Sequence, residues 1–262
     1  MNTQPGNRRI DFLGCPLDLI APHDLMEEAK RSLAGERRLH LEGLNVAKLV
    51  DARSAPLLMG ALNEAEWVHI DGAGISLGLK LLDIPVPPRR AGIDLLGDLC
   101  ALAAETGASV YLLGARREVV QLTAQRLLGR YPKLRIVGVR DGYFSAEEEA
   151  DVVEAIRASG ADMLFIGMSS PKKELLLQKH WQHLGVKIGM GVGGSFDVLS
   201  GTLPRAPRWM QVIGMEWFFR LLMEPRRLLW RYVRTNVAYL FLLIVAKFKG
   251  LFQRHAGSGT NA

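Results

Sequence analysis

The chain has 262 residues, of which 48% are hydrophobic and 23% charged, enough for a sizeable core in one or two domains. Cys15 and Cys100 lie far apart without nearby Cys or His partners, which argues against a disulfide framework or a zinc site and predicts two buried apolar residues. The net charge is +6, and residues 201–262 carry ten basic and two acidic residues. Basic charge that is confined to one apolar tail favours binding to a membrane surface or an anionic ligand over binding to nucleic acid.

The amino-terminal region is polar and is broken by Gly14 and Pro16. It lacks the charged-then-apolar layout of a signal peptide, so we expect a cytoplasmic protein. Within the first hundred residues, the apolar pattern predicts helices at 27–33 and 55–66 and a strand at 68–70.

From about residue 108 the chain alternates between apolar runs that end in glycine and longer helical stretches. The predicted strands are residues 109–113, 134–139, 162–166 and 186–192. The predicted helices are residues 116–130, 146–159 and 172–184. This alternation predicts an α/β fold, a parallel sheet flanked by helices, with ligands at the carboxyl ends of the strands.

Asp71 and Gly72 follow the predicted strand at 68–70. A carboxylate there can bond nearby backbone in a turn, as Asp-Gly does well. It can also act as a general base at the mouth of a cleft. From position alone the turn interpretation is favoured.

Gly193 and Gly194 lie between a predicted strand and a helical stretch, where backbone N–H groups can hold a diphosphate. Their spacing is not the dinucleotide fingerprint, which counts against a nicotinamide enzyme. Lys172 and Lys173 open the helix after the previous strand and can offset phosphate charge, although a solvated helix start explains them as well. No Asp-x-Asp motif occurs, so we expect no metal site and no cofactor, and positive side chains would take that role.

The tail contains an uncharged run at 235–246 with arginines before it and lysines after it. The run has twelve residues, whereas a spanning helix needs about twenty, so we predict that it does not span a membrane alone. A basic amphipathic helix lying on anionic lipid, at the inner face of the plasma membrane, fits this pattern. A helix packed on the core, or against a second copy of the chain, fits it equally well.

Six blocks between residues 39 and 229 resemble the WecG/TagA/CpsF family of glycosyltransferases. The blocks are Asp71-Gly72, Arg89 with Gly92-Ile93-Asp94-Leu95, residues 140–144, Pro171-Lys172, residues 193–197, and residues 205–227. The resemblance implies a Rossmann-like core at 1–200 and metal-independent, inverting transfer from a UDP-sugar to a sugar on a polyprenyl diphosphate. It also implies that residues 201–262 form an appendage that meets the membrane and completes the active site.

The resemblance implies a role for each matched position. Asp71 becomes the candidate base, and Asn45 a residue that positions substrate. The arginines that would face the diphosphates are Arg89, Arg220 and Arg227. The residues that would line the uridine pocket are Tyr143 and Asp197.

The chain departs from the pattern of many family members at three places. It has Gly43 where many have Thr, Lys173 where many have Gln, and Pro88 where an acid usually precedes the arginine. These departures favour the xanthan-type branch, which transfers glucose to a lipid-linked glucose, over N-acetylmannosamine transfer to lipid-linked N-acetylglucosamine. A non-catalytic, membrane-associated nucleotide-binding subunit is the alternative of a different class.

Overall fold

A computed structural model describes the backbone of residues 9–257 and the side chains of residues 9–249. The chain opens with an antiparallel hairpin of β1 (Arg9–Phe12) and β2 (Cys15–Asp18), which the sequence pattern did not predict. Asp18 is fully buried and accepts hydrogen bonds from Arg9 and from the backbone N–H of Val68, at 2.7 and 2.6 Å. The hairpin is therefore anchored to the strand that leads to Asp71.

Six parallel strands form the central sheet, as predicted. They are β3 (Leu39–Leu44), β4 (Trp67–Ile70), β5 (Ser109–Gly114), β6 (Arg135–Arg140), β7 (Met163–Gly167) and β8 (Ile188–Gly191). Their order is β4-β3-β8-β7-β5-β6, and every neighbouring pair is parallel. All five predicted strands appear, with each end within two residues of its predicted position. β3 was missed because its His, Glu and Gly interrupt the apolar pattern of a strand that is buried on both faces.

Helices cover both faces of the sheet and form the tail. Those of the core are α1 (Pro22–Leu33), α2 (Val46–Ser54), α3 (Pro56–Glu64), α4 (Ala73–Leu81), α5 (Gly92–Thr106), α6 (Arg117–Arg130), α7 (Glu149–Ala158), α8 (Lys172–His180) and α9 (Ser195–Leu199). Those of the tail are α10 (Arg208–Val212), α11 (Glu216–Met223) and α12 (Pro225–Gly257). The Rossmann-like α/β prediction with a C-terminal helix is confirmed.

The sheet separates the apolar cores. On one face, residues of β3, β5, β7 and β8 pack under α5 and α6. On the other face, a cluster joins the hairpin, α2, α3 and α4, and a further cluster lies under α7 and α8. Cys15 and Cys100 are buried in these cores, as expected, and burial raises the pKa of the Cys15 thiol to about 11.

The strand order brings the carboxyl ends of β3, β4 and β8 together. The chain leaves β3 for the edge strand β4, crosses to β5 and the opposite edge β6, and returns to the centre through β7 and β8. In open α/β sheets, ligands bind where the strand order reverses in this way. Asp71 follows β4, and Gly193 and Gly194 follow β8, so both lie at that edge.

Helix α12 is longer than the sequence run predicted. Residues 225–249 have, by length and composition alone, what a membrane-crossing helix needs, whereas the sequence prediction considered only the uncharged run at 235–246. The helix continues through the flanking arginines and lysines, whose long side chains extend away from the axis. Among the described residues it is the only helix that meets this criterion.

The apolar residues of α12 occupy two opposite faces. One face packs on the core through Leu228, Thr235, Tyr239 and Leu243, which are buried. The other face exposes large apolar side chains: Leu229, Trp230, Val233, Val237, Leu240, Phe241, Ile244 and Phe248. At 3.6 residues per turn these eight fall within an arc of about 120°. The helix thus packs on the core and leaves an apolar surface for a second partner.

Candidate active site at the carboxyl edge of the sheet

Asp71 lies directly after β4, with its backbone N–H bonded to the Leu44 carbonyl of β3 at 3.1 Å. Its Oδ1 accepts a 2.8 Å hydrogen bond from the backbone N–H of Gly92, the first residue of α5. The carboxylate thus bonds backbone, as the turn interpretation predicted, but the donor lies 21 positions away rather than in its own turn. The bond places the carboxylate at the N-terminus of α5.

Arg89 connects Asp71 to the tail. Its Nη1 donates to the Asp71 carbonyl oxygen at 3.0 Å, and its Nη2 forms an ion pair with Glu216 of α11 at 3.1 Å. Arg205 pairs with Asp94 of α5 at 2.7 Å, which adds a second link between the tail and the core. Arg89 therefore lies next to Asp71, and its guanidinium is partly occupied by protein partners.

Asn45 caps α2. Its Oδ1 accepts from the backbone N–H of Lys48 at 3.0 Å, which leaves its amide N–H₂ as the group for a substrate. A Cβ on Gly72 would come within 2.9 Å of the Asn45 Cβ, so Gly72 allows the ends of β3 and β4 to touch. The structure thus brings Asn45 and Asp71 together across two neighbouring strand ends.

The glycine loop after β8 is covered by the tail. Gly193 has φ +52°, a conformation that glycine adopts without strain. The guanidinium of Arg220, from α11, lies directly over Gly194, where a Cβ would overlap it. The Nε of Arg220 is buried and has no hydrogen-bond partner among the described residues. A partly buried guanidinium with an unused, buried Nε–H, set over glycine backbone, is a group that an anionic ligand would satisfy.

Asp197, at the start of α9, lies beside this arginine. Burial raises the pKa of Asp197 above its ordinary value, while the nearby Arg220 acts in the opposite direction. Arg227 forms ion-paired hydrogen bonds to Glu224 at 2.9 and 2.5 Å, which raise its pKa. Arg220, Arg227 and Asp197 therefore belong to one charged group at the glycine loop.

Three predicted residues lie in other environments. Lys173 is buried and pairs with Glu174, so it is not a free cation facing the cleft; its stem packs on Gly191, and a Cβ there would lie 2.9 Å from its Cδ. Lys172 is exposed at the start of α8. Tyr143 is 73% exposed and only its backbone N–H is bonded, to Asp141 at 3.0 Å. A ligand would have to cover Tyr143 for it to line a pocket.

A buried ion cluster beneath the site was not predicted from the sequence. Lys48 lies between two carboxylates, Glu42 of β3 and Glu174 of α8, each at 2.7 Å. Burial disfavours the charged form of Glu42, yet Lys48 and His40 outweigh it and hold the pKa of Glu42 below its usual range. β3 and α2 each supply one charge and α8 supplies two, Glu174 and its partner Lys173, so the cluster links the elements that carry Asn45 and Pro171.

His69 lies on the same face of β4 as Asp71. It is buried, and burial lowers the pKa of its imidazole, so the ring is neutral. A Cβ on Gly43 would lie 2.9 Å from the Asp71 Cβ and 3.4 Å from the His69 Cε1. The absence of a side chain at Gly43 therefore sets the space around the carboxylate.

Together, these residues provide a carboxylate at one strand end and a partly unsatisfied arginine over a glycine loop at another. This arrangement can remove a proton from a nucleophile and stabilise a departing anion. Among the side chains of residues 9–249, no group of three or more His, Cys, Asp or Glu lies close enough to hold a metal ion.

Comparison with known families gives one match. A family model described as "Glycosyl transferase WecG/TagA/CpsF family" matches residues 10–253. The match includes the hairpin, the whole sheet and the tail as far as the last turns of α12.

Proposed function

Since the chain belongs to the WecG/TagA/CpsF family of glycosyltransferases, we propose that it moves a sugar from a UDP-sugar to a sugar carried on a polyprenyl diphosphate. The observation that carries the proposal is that Asp71 and Arg220 lie at the same carboxyl edge of the sheet, one after β4 and the other over the glycine loop after β8. Membership of a glycosyltransferase family disfavours a non-catalytic nucleotide-binding subunit.

The proposed reaction is a single inverting displacement. The acceptor hydroxyl oxygen attacks the anomeric carbon, and its proton passes to the Asp71 carboxylate. The bond between that carbon and the diphosphate oxygen breaks on the opposite face, and UDP departs with the bonding pair. The Oδ1 of Asp71 is already engaged by Gly92, so Oδ2 is the atom that accepts the proton.

Arg220 and the backbone N–H groups at Gly193 and Gly194 are proposed to take the charge of the leaving diphosphate. Charge stabilisation by fixed donors is effective because they need no reorganisation as the charge develops. Arg227 would join them by exchanging Glu224 for phosphate. Asp197 and Tyr143 would line the uridine, with Tyr143 covered only when the donor is bound. Because cations and backbone donors suffice for this role, we propose transfer without a metal.

Arg89 is proposed to hold the loop that carries the base, in addition to facing the acceptor diphosphate. Its bond to the Asp71 carbonyl supports the first role, and its position between Asp71 and α11 supports the second. Asn45 would orient the acceptor sugar through its free amide N–H₂.

Glucose is the favoured donor sugar. Gly43 leaves the space beside Asp71 free of a side chain, in contrast to the Thr of many family members. Transfer of N-acetylmannosamine to lipid-linked N-acetylglucosamine is the alternative.

The exposed apolar face of α12 is proposed to lie in the surface of an anionic membrane, where the lipid-linked acceptor is found. Arg231 and Arg234 pair with Asp51 of α2, while Arg226 is exposed at the start of the helix. An apolar face bordered by cations fits an interfacial helix. The same face would serve equally for a second copy of the chain, and vesicle flotation of the monomer distinguishes the two.

The experiment that tests the function uses the purified full-length chain with a chelator present. UDP-glucose and UDP-N-acetylmannosamine are each offered with polyprenyl-diphosphate-linked glucose and N-acetylglucosamine. We expect product from UDP-glucose and the glucose acceptor. Product only from the N-acetylmannosamine donor would favour the alternative substrate pair. UDP binding without any product would contradict a sugar-transfer function.

A further inference from the structure

The segment after Asp71 contains three glycines that the proposed reaction leaves unexplained. Gly72, Gly74 and Gly78 lie in the sequence HIDGAGISLG, whose spacing does not fit a phosphate loop. The structure gives them a packing role, since each would clash if it carried a Cβ. Gly72 contacts Asn45, and a Cβ on Gly74 would lie 2.5 Å from a methyl of Val46. One side of this segment therefore packs on the start of α2.

The other side packs on the tail. A Cβ on Gly78 would overlap the hydroxyl of Tyr239 in α12, and the Leu243 Cδ2 would lie 3.1 Å from it. The Tyr239 hydroxyl donates a 2.9 Å hydrogen bond to the carbonyl oxygen of Gly74, in the first turn of α4. Gly78 thus lets α12 approach α4 closely, and the hydrogen bond to Gly74 makes the contact a specific one.

Tyr239 is well suited to hold that turn. Tyr239 is buried, with only 7% of its surface exposed, and its ring belongs to the core cluster beside α2, α3 and α4. Burial raises the pKa of its hydroxyl, so the group remains a donor at all working pH values. A buried donor fixed by its ring has little freedom to follow a moving partner.

We propose that Tyr239 is a positioning residue for Asp71, acting through the first turn of α4. Only Gly72 and Ala73 separate the carboxylate residue from the carbonyl that Tyr239 holds. Ala73 itself meets Gly214 of the tail, where a Cβ would lie 2.5 Å from the Ala73 Cβ. The helix that carries the exposed apolar face thus also fixes the direction of the base, which couples the placement of α12 to the reaction.

This inference rests on the proposed function, so its test includes a readout that needs no activity. The backbone N–H of Gly92 reports the position of Asp71 directly because the two share a hydrogen bond. In the full-length chain in lipid nanodiscs, we expect Tyr239→Phe to speed amide hydrogen exchange at Gly92. The substitution removes one hydroxyl and retains the ring. It should also lower kcat about ten-fold, since small displacements of a catalytic group are costly, while KM for the donor and affinity for UDP remain unchanged.

Asp51→Asn is the matched control. Asp51 pairs with Arg231 and Arg234, so the variant weakens the docking of α12 at α2 without touching α4. We expect its Gly92 exchange and kcat to equal those of the parent chain. Gly78→Ala, which pushes the Tyr239 hydroxyl from its place, should reproduce the effects of Tyr239→Phe.

Unchanged exchange at Gly92 in Tyr239→Phe would overturn the positioning role, whatever the activity. Equal changes in Tyr239→Phe and Asp51→Asn would also overturn it, because they would show general undocking of the helix. If the parent chain transfers no sugar while Gly92 responds as expected, the proposed function fails and the positioning contact stands.

Discussion

The two ends of the candidate site differ in how they are held. At the Asp71 end, the backbone N–H of Gly92 binds the carboxylate, and the guanidinium of Arg89 binds the backbone carbonyl of the same residue. At the Gly194 end, the key group is a side chain from the tail, Arg220, whose Nε lacks a partner among the described residues. The first end is complete as it stands, whereas the second has capacity left for a ligand.

This difference fits the division of roles in the proposed reaction. The proposed base must be held in one geometry, and it lies at a strand end of the core beside a buried ion cluster. The group proposed to bind and release a diphosphate must be able to lose its ligand, and it lies on an adjacent helix. Substitutions at the Asp71 end should therefore lower the rate of transfer, and substitutions at the Gly194 end should also weaken UDP binding.

The largest expected effect is at the Asp71 end. Asp71→Asn keeps the size of the side chain and removes its ability to accept a proton. We expect transfer to fall by at least about 10³-fold, within the range for a general base, with UDP affinity unchanged. Transfer rates and UDP titration calorimetry on the same preparation measure both. If Asp71→Asn still transferred sugar, Asp71 would not be the base, and the two ends of the site would not differ in the way proposed.

The next largest effect is at the Gly194 end. Arg220→Ala removes the guanidinium over the glycine loop, and we expect kcat/KM to fall about 10²-fold, as for a lost donor to a developing charge. In contrast to Asp71→Asn, UDP affinity should fall as well. Steady-state kinetics with varied donor and UDP titration give the two quantities.

Arg226→Ala is the control for that loss. Arg226 is an exposed arginine of the same tail, six positions away, so its removal changes the net charge equally. Its variant should bind UDP as the parent chain does. If Arg226→Ala and Arg220→Ala weaken UDP binding alike, overall tail charge rather than a placed guanidinium would account for binding.

Much of the core was predictable because its elements carry strong local patterns. The strands β5, β7 and β8 are apolar runs that end in glycine, and such runs with helices between them indicate a parallel sheet. β3 escaped prediction because His, Glu and Gly interrupt its apolar pattern, and the hairpin escaped because a polar residue in it is buried through partners that the local pattern does not reveal. For example, Asp18 is buried only because Arg9 and the Val68 backbone satisfy it.

The site was predictable in its residues but less so in their geometry. The family resemblance selected Asp71 and Arg220, yet nothing local to either residue indicates that Gly92 or Gly194 would contact it. Lys173 was predicted to face phosphate because it opens a helix at the ligand edge. It lies buried against Glu174 instead. The sequence does not reveal this, because the charges that surround it, Glu42 and Lys48, come from other elements of the fold.

A smaller effect is expected from crowding the Asp71 end. A Cβ on Gly43 would lie 2.9 Å from the Asp71 Cβ, so Gly43→Ala must displace one of the two residues by a few tenths of an ångström. We expect kcat to fall about ten-fold and UDP affinity to stay unchanged, because misplacement of a reacting group affects the rate. Transfer kinetics with saturating donor test this. Unchanged kcat would indicate that the carboxylate tolerates displacement and that its backbone contacts do not define the reactive geometry.

The smallest expected effect is on stability, and it tests whether burial or Arg220 dominates at Asp197 in the Gly194 end. Burial raises the pKa of Asp197, so the folded chain keeps that proton to higher pH than the unfolded chain does. The folded state therefore loses stability as pH rises through the interval between the two pKa values, and the loss is complete above the folded-state pKa. Without UDP, Asp197→Asn should raise Tm by about 1 °C at pH 7 and by less as pH falls toward 4.

Thermal unfolding followed by circular dichroism across this pH range measures the effect of Asp197→Asn, with Asp151→Asn on the exposed side of α7 as the charge-matched control. The control should give no gain at pH 7. A loss of Tm for Asp197→Asn at pH 7 that shrinks on acidification would mean that Arg220 outweighs burial and that the pair is satisfied without a ligand. The Gly194 end would then be as complete as the Asp71 end. A gain at pH 7 that vanishes on acidification instead means that burial outweighs Arg220, which leaves this end with capacity for the donor that we propose it binds and releases.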